Sequence, residues 1–223
     1  MTDYRLRLEL ESAATFGRGS GIPGLVDQDI VLDDYGCPYL HGRTFKGLLS
    51  EVCSEILYGL ASGNVDSQTR WNAAADRLFG IPGSTHESQG IMRIGHARLP
   101  SKLRKAIRHA VDNDYWTKDE VTESLTAIRQ QTALEVGGSP DPHTLRAIRV
   151  ILRETVFHAE LTFRQPADDT EKALLAACIK GLRRAGLARN RGRGRVTASI
   201  EDCQESTNVT AAWFTLFREE FGA

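Results

Sequence analysis

The sequence predicts an α+β fold, and three observations predict it. Two stretches alternate apolar and polar residues, "YRLRLELE" at 4–11 and "TVFHAELTF" at 155–163. Two others repeat apolar residues at helical spacing, "HGRTFKGLLSEVCSEILYGLAS" at 41–62 and the run after Asp168. Along the chain the segments come as strand, helix, strand, polar insertion, strand, helix, strand.

Each element has a local reason. In the first, Tyr4, Leu6, Leu8 and Leu10 share one face while Arg5, Arg7, Glu9 and Glu11 share the other, the mark of a half-buried strand. "DIVLDDYGCPYL" at 29–40 reads as a short hairpin turning at Asp34-Tyr35-Gly36. The first helix carries Phe45, Leu48, Leu49, Val52, Ile56, Leu57 and Leu60 on its stripe, with Thr44 as the expected N-cap. "GIMRIGHARL" at 90–99 reads as a second core strand, and "SKLRKAIRHAVDN" at 101–113 as a short basic helix. Residues 113–148 are polar and are broken by Gly137-Gly138-Ser139-Pro140, so an inserted, partly mobile segment is expected there.

Phe157, Ala159, Leu161 and Phe163 line one face of the next strand. Asp168 and Glu171 have capping-box spacing, and Leu174, Leu175, Cys178, Ile179 and Leu182 follow as a helical stripe that Gly186 is placed to end. "RVTASI" at 195–200 is a strand, and Trp213, Phe214, Leu216, Phe217 and Phe221 sit on a C-terminal helix. The order is the βαββαβ ferredoxin-like pattern with an insertion and a C-terminal helix. It implies a single domain over 1–223: a palm of about 1–112 and 150–223, with an inserted thumb-like segment of about 113–149.

Composition narrows the function classes. The 223 residues are 41% hydrophobic and 26% charged, the balance of one globular domain. No apolar run of about 18 residues is present to span a bilayer. Cys37, Cys53, Cys178 and Cys203 lie far apart with no Cys-x-x-Cys pair, which argues against zinc and disulfides and for a reducing cytoplasm. A net charge of −1 does not mark the whole surface as nucleic-acid binding. Its distribution differs: "RRAGLARNRGRGR" at 183–195 holds six arginines and no acid, a local polyanion site.

The motifs sort by chemistry. "TFGRGSGIPGLVDQD" at 15–29 contains Gly19-x-Gly21-x-x-Gly24, a formal dinucleotide fingerprint. That fingerprint needs a helix to open behind it, and Pro23 with a strand-like run follows instead. Gly42 to Gly47, "GRTFKG", has the wrong order for a Walker loop, yet the helix amides behind it could meet a phosphate. An ordinary helix with an exposed lysine is the plainer alternative. Arg183 and Arg184 are explained by the dipole of the preceding helix. Arg191, Arg193 and Arg195, separated by glycines, are not: glycine removes bulk so that a phosphate chain can lie on the backbone while arginines hold it. His41, His86, His96, His109, His143 and His158 show no metal-ligand spacing, and only His41 lies beside the lysine helix. Arg146, Arg149 and Arg153 share a possible helical face that could equally be solvated.

Four segments together resemble a known family: "TFGRGSGIPGLVDQD", "CPYLHGRTFKGLLSEV" followed by "RLFG", "LTAIRQQT", and "GLARNRGRGRV". The chain resembles the RAMP superfamily of CRISPR-associated proteins, and within it the backbone (Cas-seven-like) subunit of type III RNA-guided effector complexes. Arg43-Thr44 and Arg129-Gln130 depart from the family's usual residues and point to a divergent subtype. The resemblance implies an RRM-like palm gripping guide RNA and a thumb that wedges into the guide–target duplex, with several subunits, copies or paralogues, stacking along one guide. It implies RNA contacts at Gly17, Arg18, Gly19, Ser20, His41, Arg43, Thr44, Lys46, Arg189, Arg191, Arg193 and Arg195. Thr126, Ala127, Ile128 and Arg129 fall on the thumb. Asp27 matches the aspartate that cuts complementary target RNA. Asp27 and Asp29 could hold Mg2+ or Mn2+ weakly, with water and RNA phosphate as most of the ligands. The alternatives are a binding-only subunit of the same complex, such as a Cas-five-like cap on the guide's 5′ end, and an unrelated ferredoxin-like enzyme using the two aspartates for a metal.

Overall fold

The computed structural model describes residues 4–63, 68–81, 83, 89–131 and 146–221. Its strands are β1 (Tyr4–Leu10), β2 (Tyr39–Leu40), β3 (Met92–Ile94), β4 (Ala97–Arg98), β5 (Thr126–Gln131), β6 (Arg146–Ile151), β7 (Val156–Phe163) and β8 (Val196–Asp202). Its helices are α1 (Gly42–Ser62), α2 (Gln68–Phe79), α3 (Ser101–Asp112), α4 (Lys118–Leu125), α5 (Asp169–Gly181) and α6 (Thr210–Phe221). The main sheet is antiparallel throughout, ordered β2-β4-β7-β1-β8, with β3 also pairing β7. β5 and β6 form a separate antiparallel pair. The fold is mixed α+β, and no helix among the described residues is long and apolar enough to cross a membrane.

Alternation in β1 works as expected. Leu6, Leu8 and Leu10 are fully buried, while Arg5 and Arg7 stay on the wetter face. Leu6 is registered with Ala159 of β7 and Ile200 of β8, so three strands contribute to one apolar layer. Helix α5 covers that layer. Its residues Ala173 to Ile179 are all buried, and α1, α2 and α6 pack around it. The Asp168–Glu171 capping box forms in full, at 2.8 Å in both directions. Glu171 is itself buried against Arg77 of α2 at 2.9 Å.

Several expectations change. α2 went unrecognised in the sequence, because its apolar stripe is mostly alanine; it buries Trp71 completely, together with Ala74, Ala75 and Leu78. Thr44 does not cap α1. His41 occupies the cap position and makes no side-chain cap bond. α5 ends at Gly181 with Leu182 beyond it, so Gly186 is not its terminator. Gly186 sits at φ +94°, backed against Thr15, where a Cβ would stand 2.6 Å from the Thr15 oxygen. The 90–99 strand is broken between Ile94 and Ala97. The turn at Asp33–Cys37 forms as expected: Asp33 Oδ1 accepts from the Tyr35 and Cys37 amides at 3.1 Å, and Gly36 takes φ +77°.

The 113–148 segment is more built than its polarity suggested. Thr117 and Glu120 form a second full capping box at the start of α4. Val121, Ile148 and Val150 are buried, so a short apolar patch holds the segment down. Arg146 and Arg149 lie on strand β6, with Arg153 just beyond it, and not on a helix. The Gly137–Pro140 break, His86 and His143 lie outside the described residues.

Candidate nucleic-acid interface

The first glycine loop folds mainly onto protein. Ile22 and Val26 exchange backbone bonds, the Ile22 amide to Val26 oxygen at 2.8 Å and the Val26 amide to Ile22 oxygen at 3.0 Å. A Cβ on Gly21 would stand 2.1 Å from the Val26 oxygen, so only glycine permits this closure. Gly17 faces the Leu187 side chain in the same tight way. Gly19, at φ +89°, and Gly24, at φ +77°, have open space beside them. Of the loop's glycines, then, two close the protein and two leave backbone accessible.

The second glycine loop, 183–195, lies along the first. Leu187 N donates to Thr15 O at 2.9 Å, Gly194 N to Ala13 O at 2.9 Å, and Arg195 N to Ser12 Oγ at 2.9 Å. Its arginines differ in their commitments. Arg189 is bidentate on Glu51 of α1 at 2.9 and 3.3 Å. Arg195 pairs with Glu11 at 3.4 Å. Arg191 is exposed and makes no ion pair among the described residues. Arg193 has one guanidinium nitrogen buried with no hydrogen-bond partner among the described residues. Burial, with Arg129 of β5 and Arg191 close by, disfavours its charge. Arg193 thus holds an unsatisfied donor with like charges near it, and an anion with several acceptor oxygens answers that arrangement.

A second basic hollow, of 830 Å³, opens at the start of α1. Arg43, Lys46, Arg93 and Arg164 line it, and no carboxylate does among the described residues. Lys46 Nζ donates to Met92 O at 3.0 Å, and burial followed by the nearby Arg164 lowers its pKa. Glu51, which holds Arg189, stands five residues along α1 from Lys46, about 7.5 Å by helical rise. Arg93 on β3 and Arg164 just past β7 were missed in the sequence; an isolated arginine carries no spacing signal there. Thr44 is exposed beside this hollow. His41 packs edge-on against Tyr39 and His96.

His96 does what Thr44 was expected to do. Its Nδ1 accepts from Gly42 N, the first amide of α1, at 3.1 Å. An acceptor nitrogen must be unprotonated. Burial, then Arg98 and His41, holds His96 below its ordinary value of 6.5.

Asp27 and Asp29 have opposite environments. Asp27 is exposed at the rim of a 420 Å³ hollow formed with Gly21–Val26 and Ala147. Its Oδ2 accepts from Ala147 N at 2.7 Å, and its own amide donates to Ala147 O at 2.8 Å. Oδ1 carries no bond among the described residues. Asp29 is 2% exposed. Arg149 Nε donates to its Oδ1 at 3.0 Å, the Ile30 amide to the same oxygen at 2.9 Å, and Arg18 stands 3.5 Å from Oδ2. Asp29 is thus an internal anchor with no oxygen turned to an ion in solvent. No three His, Cys, Asp or Glu side chains among the described residues are grouped to hold a metal.

At the start of β5, Thr126 is buried and its hydroxyl donates to Thr122 O at 2.6 Å and accepts from Arg149. Ala127 is half-buried, whereas Ile128 and Arg129 face outward. Ser20 accepts from Arg18 Nε at 3.4 Å.

Two glycine loops back to back, a cationic cluster and an antiparallel α+β sheet define the class of domain. A family model for the RAMP superfamily matches residues 7–197, and the chain belongs to that superfamily. Among solved structures it is similar to a chain of the Type III-B Cmr-beta cryo-EM structure bound to cognate target RNA: TM-score 0.60, 12% identity, covering 88% of this chain and 96% of the other. A chain of the Type III-B Cmr-beta structure in the apo state gives TM-score 0.56 at 11% identity, covering 92% and 98%. No curated protein matches the sequence.

Two outcomes follow from this geometry. A base held below its ordinary pKa contributes stability that is present above pH 6.5 and is lost as pH falls through the folded-state value. The wild type should therefore lose urea resistance from about pH 7 to about pH 5 more steeply than His96→Asn, which offers an acceptor that does not titrate. His158 is also lowered, first by burial, so the difference between the two slopes isolates His96. Equal slopes would remove the cap. The second outcome concerns the arginines. Changing Arg191, Arg193 and Arg195 together to alanine should weaken single-stranded RNA binding and flatten its log–log salt slope by about 0.7 per lost phosphate contact. An unchanged slope in fluorescence anisotropy would take the loop out of the interface.

Proposed function

We propose that this chain is a backbone subunit of a type III CRISPR ribonucleoprotein, holding the guide RNA by its phosphates and cutting complementary target RNA in antiviral defence. The observation that carries the reading is the buried, unsatisfied guanidinium nitrogen of Arg193 on an arginine-rich loop hydrogen-bonded along the first glycine loop. A guide phosphate supplies the missing acceptors, and Gly19 leaves backbone open for its approach. The Arg43, Lys46, Arg93 and Arg164 hollow holds a further stretch of the same strand. The strand order β8-β1-β7-β4, with α1 and α5 packed on the sheet, supports reading a ferredoxin-like palm, and the β5–β6 pair supports reading a thumb base. Base pairing carries the sequence information, and the protein holds backbone and shape. The partners are guide RNA, target RNA and further subunits, copies or paralogues of this chain, in the cytoplasm. Likeness to the RNA-bound Cmr-beta chain supports this.

Asp27 is the candidate for cutting. Ala147 fixes one carboxylate oxygen and leaves Oδ1 at the loop rim. There Oδ1 can accept the proton of a target 2′-hydroxyl as that oxygen attacks the adjacent phosphorus. The bond to the 5′ oxygen breaks and that oxygen takes a proton from water, leaving a 2′,3′-cyclic phosphate and a 5′-hydroxyl. The donor set does not fit a resident Mg2+ or Mn2+: Asp29 is committed to Arg149, and Asp27 stands alone. Such an ion would rely on RNA and water for its other ligands.

The Asp27–Ala147 bond also favours a second reading, in which Asp27 only docks β6 and the subunit binds without cutting. Asp27→Asn keeps an acceptor for the Ala147 amide and removes the base. In the assembled complex it should bind guide and target unchanged while cleavage of labelled target slows by about 100-fold or more. Cleavage at the wild-type rate would assign the chain to the binding-only reading.

A further inference from the structure

β8 is the edge of the main sheet, and its outer side is closed at both ends but open in the middle. The Val196 amide donates outward to Arg183 O at 3.0 Å. Further along, Ile200 N donates to Thr210 Oγ1 at 2.7 Å, Val209 N to Ile200 O at 2.9 Å, and Asp202 N to Thr207 O at 2.8 Å. Residues 196, 200 and 202 therefore turn their main-chain groups away from β1, and by the two-residue period of a strand Ala198 does too. Neither its amide nor its carbonyl has an outward partner among the described residues. An unpaired edge is the template on which another chain adds.

The space in front of Ala198 is a hollow of 660 Å³. Among the described residues its charged lining is Arg7, Lys180 and Arg183, and no carboxylate lines it. Arg7 already pairs with Glu9 at 2.7 Å. Lys180 rests over the Phe214 ring at 5.0 Å, and neither it nor Arg183 has an ion pair among the described residues. Arg183 lies just past the C-terminus of α5, but the hollow gives it a second use.

We propose that this hollow docks an extended acidic segment of a partner protein. An incoming backbone donates to the Ala198 carbonyl and accepts from the Ala198 amide, while its carboxylates meet Lys180 and Arg183. A nucleic-acid strand fits less well, because a phosphate accepts hydrogen bonds and leaves the carbonyl unanswered. The inference stands apart from the RNA reading, since it uses none of the residues assigned to RNA.

The test uses the full chain and three fluorescent probes: acetyl-Glu-Val-Glu-Val-Glu-amide, its lysine counterpart acetyl-Lys-Val-Lys-Val-Lys-amide, and oligouridylate. The acidic peptide should bind and should perturb the Ala198 and Ser199 amide resonances. Reversing both Lys180 and Arg183 to glutamate should weaken it by about tenfold. Ala198→Pro removes an outward amide that β1 does not use, so the fold should survive while binding is lost. Guide RNA binding by these variants should be unchanged, which separates failure here from failure of the RNA reading. Equal binding of the lysine peptide, oligouridylate displacing the acidic peptide, or an Ala198 resonance that does not move would each overturn the proposal.

Discussion

The candidate site depends on one buried ion pair, Asp29 with Arg149. Both residues are nearly excluded from solvent, at 2% and 8% exposure. Buried charges are tolerated only when paired and hydrogen-bonded, and removing one partner costs about 3–5 kcal/mol. Every neighbour here serves the pair. The Ile30 amide and Arg18 complete the carboxylate, while Thr126 accepts from the guanidinium. The Arg149 carbonyl accepts from buried Thr15, and its amide donates to Gln28. One arginine thus ties the first glycine loop, the end of α4 and the β5–β6 hairpin together. Asp27 sits two residues from the anchor, with its carboxylate aligned by Ala147 two residues before Arg149.

From that anchor the rest of the surface follows. With 15–30 fixed on β6, the stretch before it, Glu11 to Thr15, is free to accept the arginine–glycine loop along its backbone. Gly186 makes this contact possible, since a side chain there would collide with the Thr15 backbone, and Gly194 lets the loop close on its own Ala185. Glu51 and Glu11 hold Arg189 and Arg195 of this loop. Arg191 and Arg193 have no ion pair among the described residues, which leaves them available to a ligand.

The sheet strands and helices α1 and α5 were legible because their patterns are local. β1 and β7 alternate, α1 and α5 repeat at helical spacing, and Asp168–Glu171 announces its own capping box. α2 was hidden because Ala74 and Ala75 give little hydrophobic contrast, although Trp71 is fully buried. The β5–β6 pair was hidden because its strands are polar outside and partner across a gap in sequence. In the site, residue types were legible and commitments were not. Asp27 and Asp29 look alike in the sequence, and only folding separates an exposed carboxylate from a buried one. His96 gave no sign of capping a helix 54 residues away. Such long-range partners leave no spacing to read.

The most direct test of the interlocked surface is amide hydrogen exchange of the chain with and without bound guide RNA. Slowed exchange at Gly19, along 189–195 and at Arg129, with little change on α6, is the expected result. Protection confined to the outer sheet face around Arg5 and Arg98, with the two glycine loops exchanging as before, would contradict it.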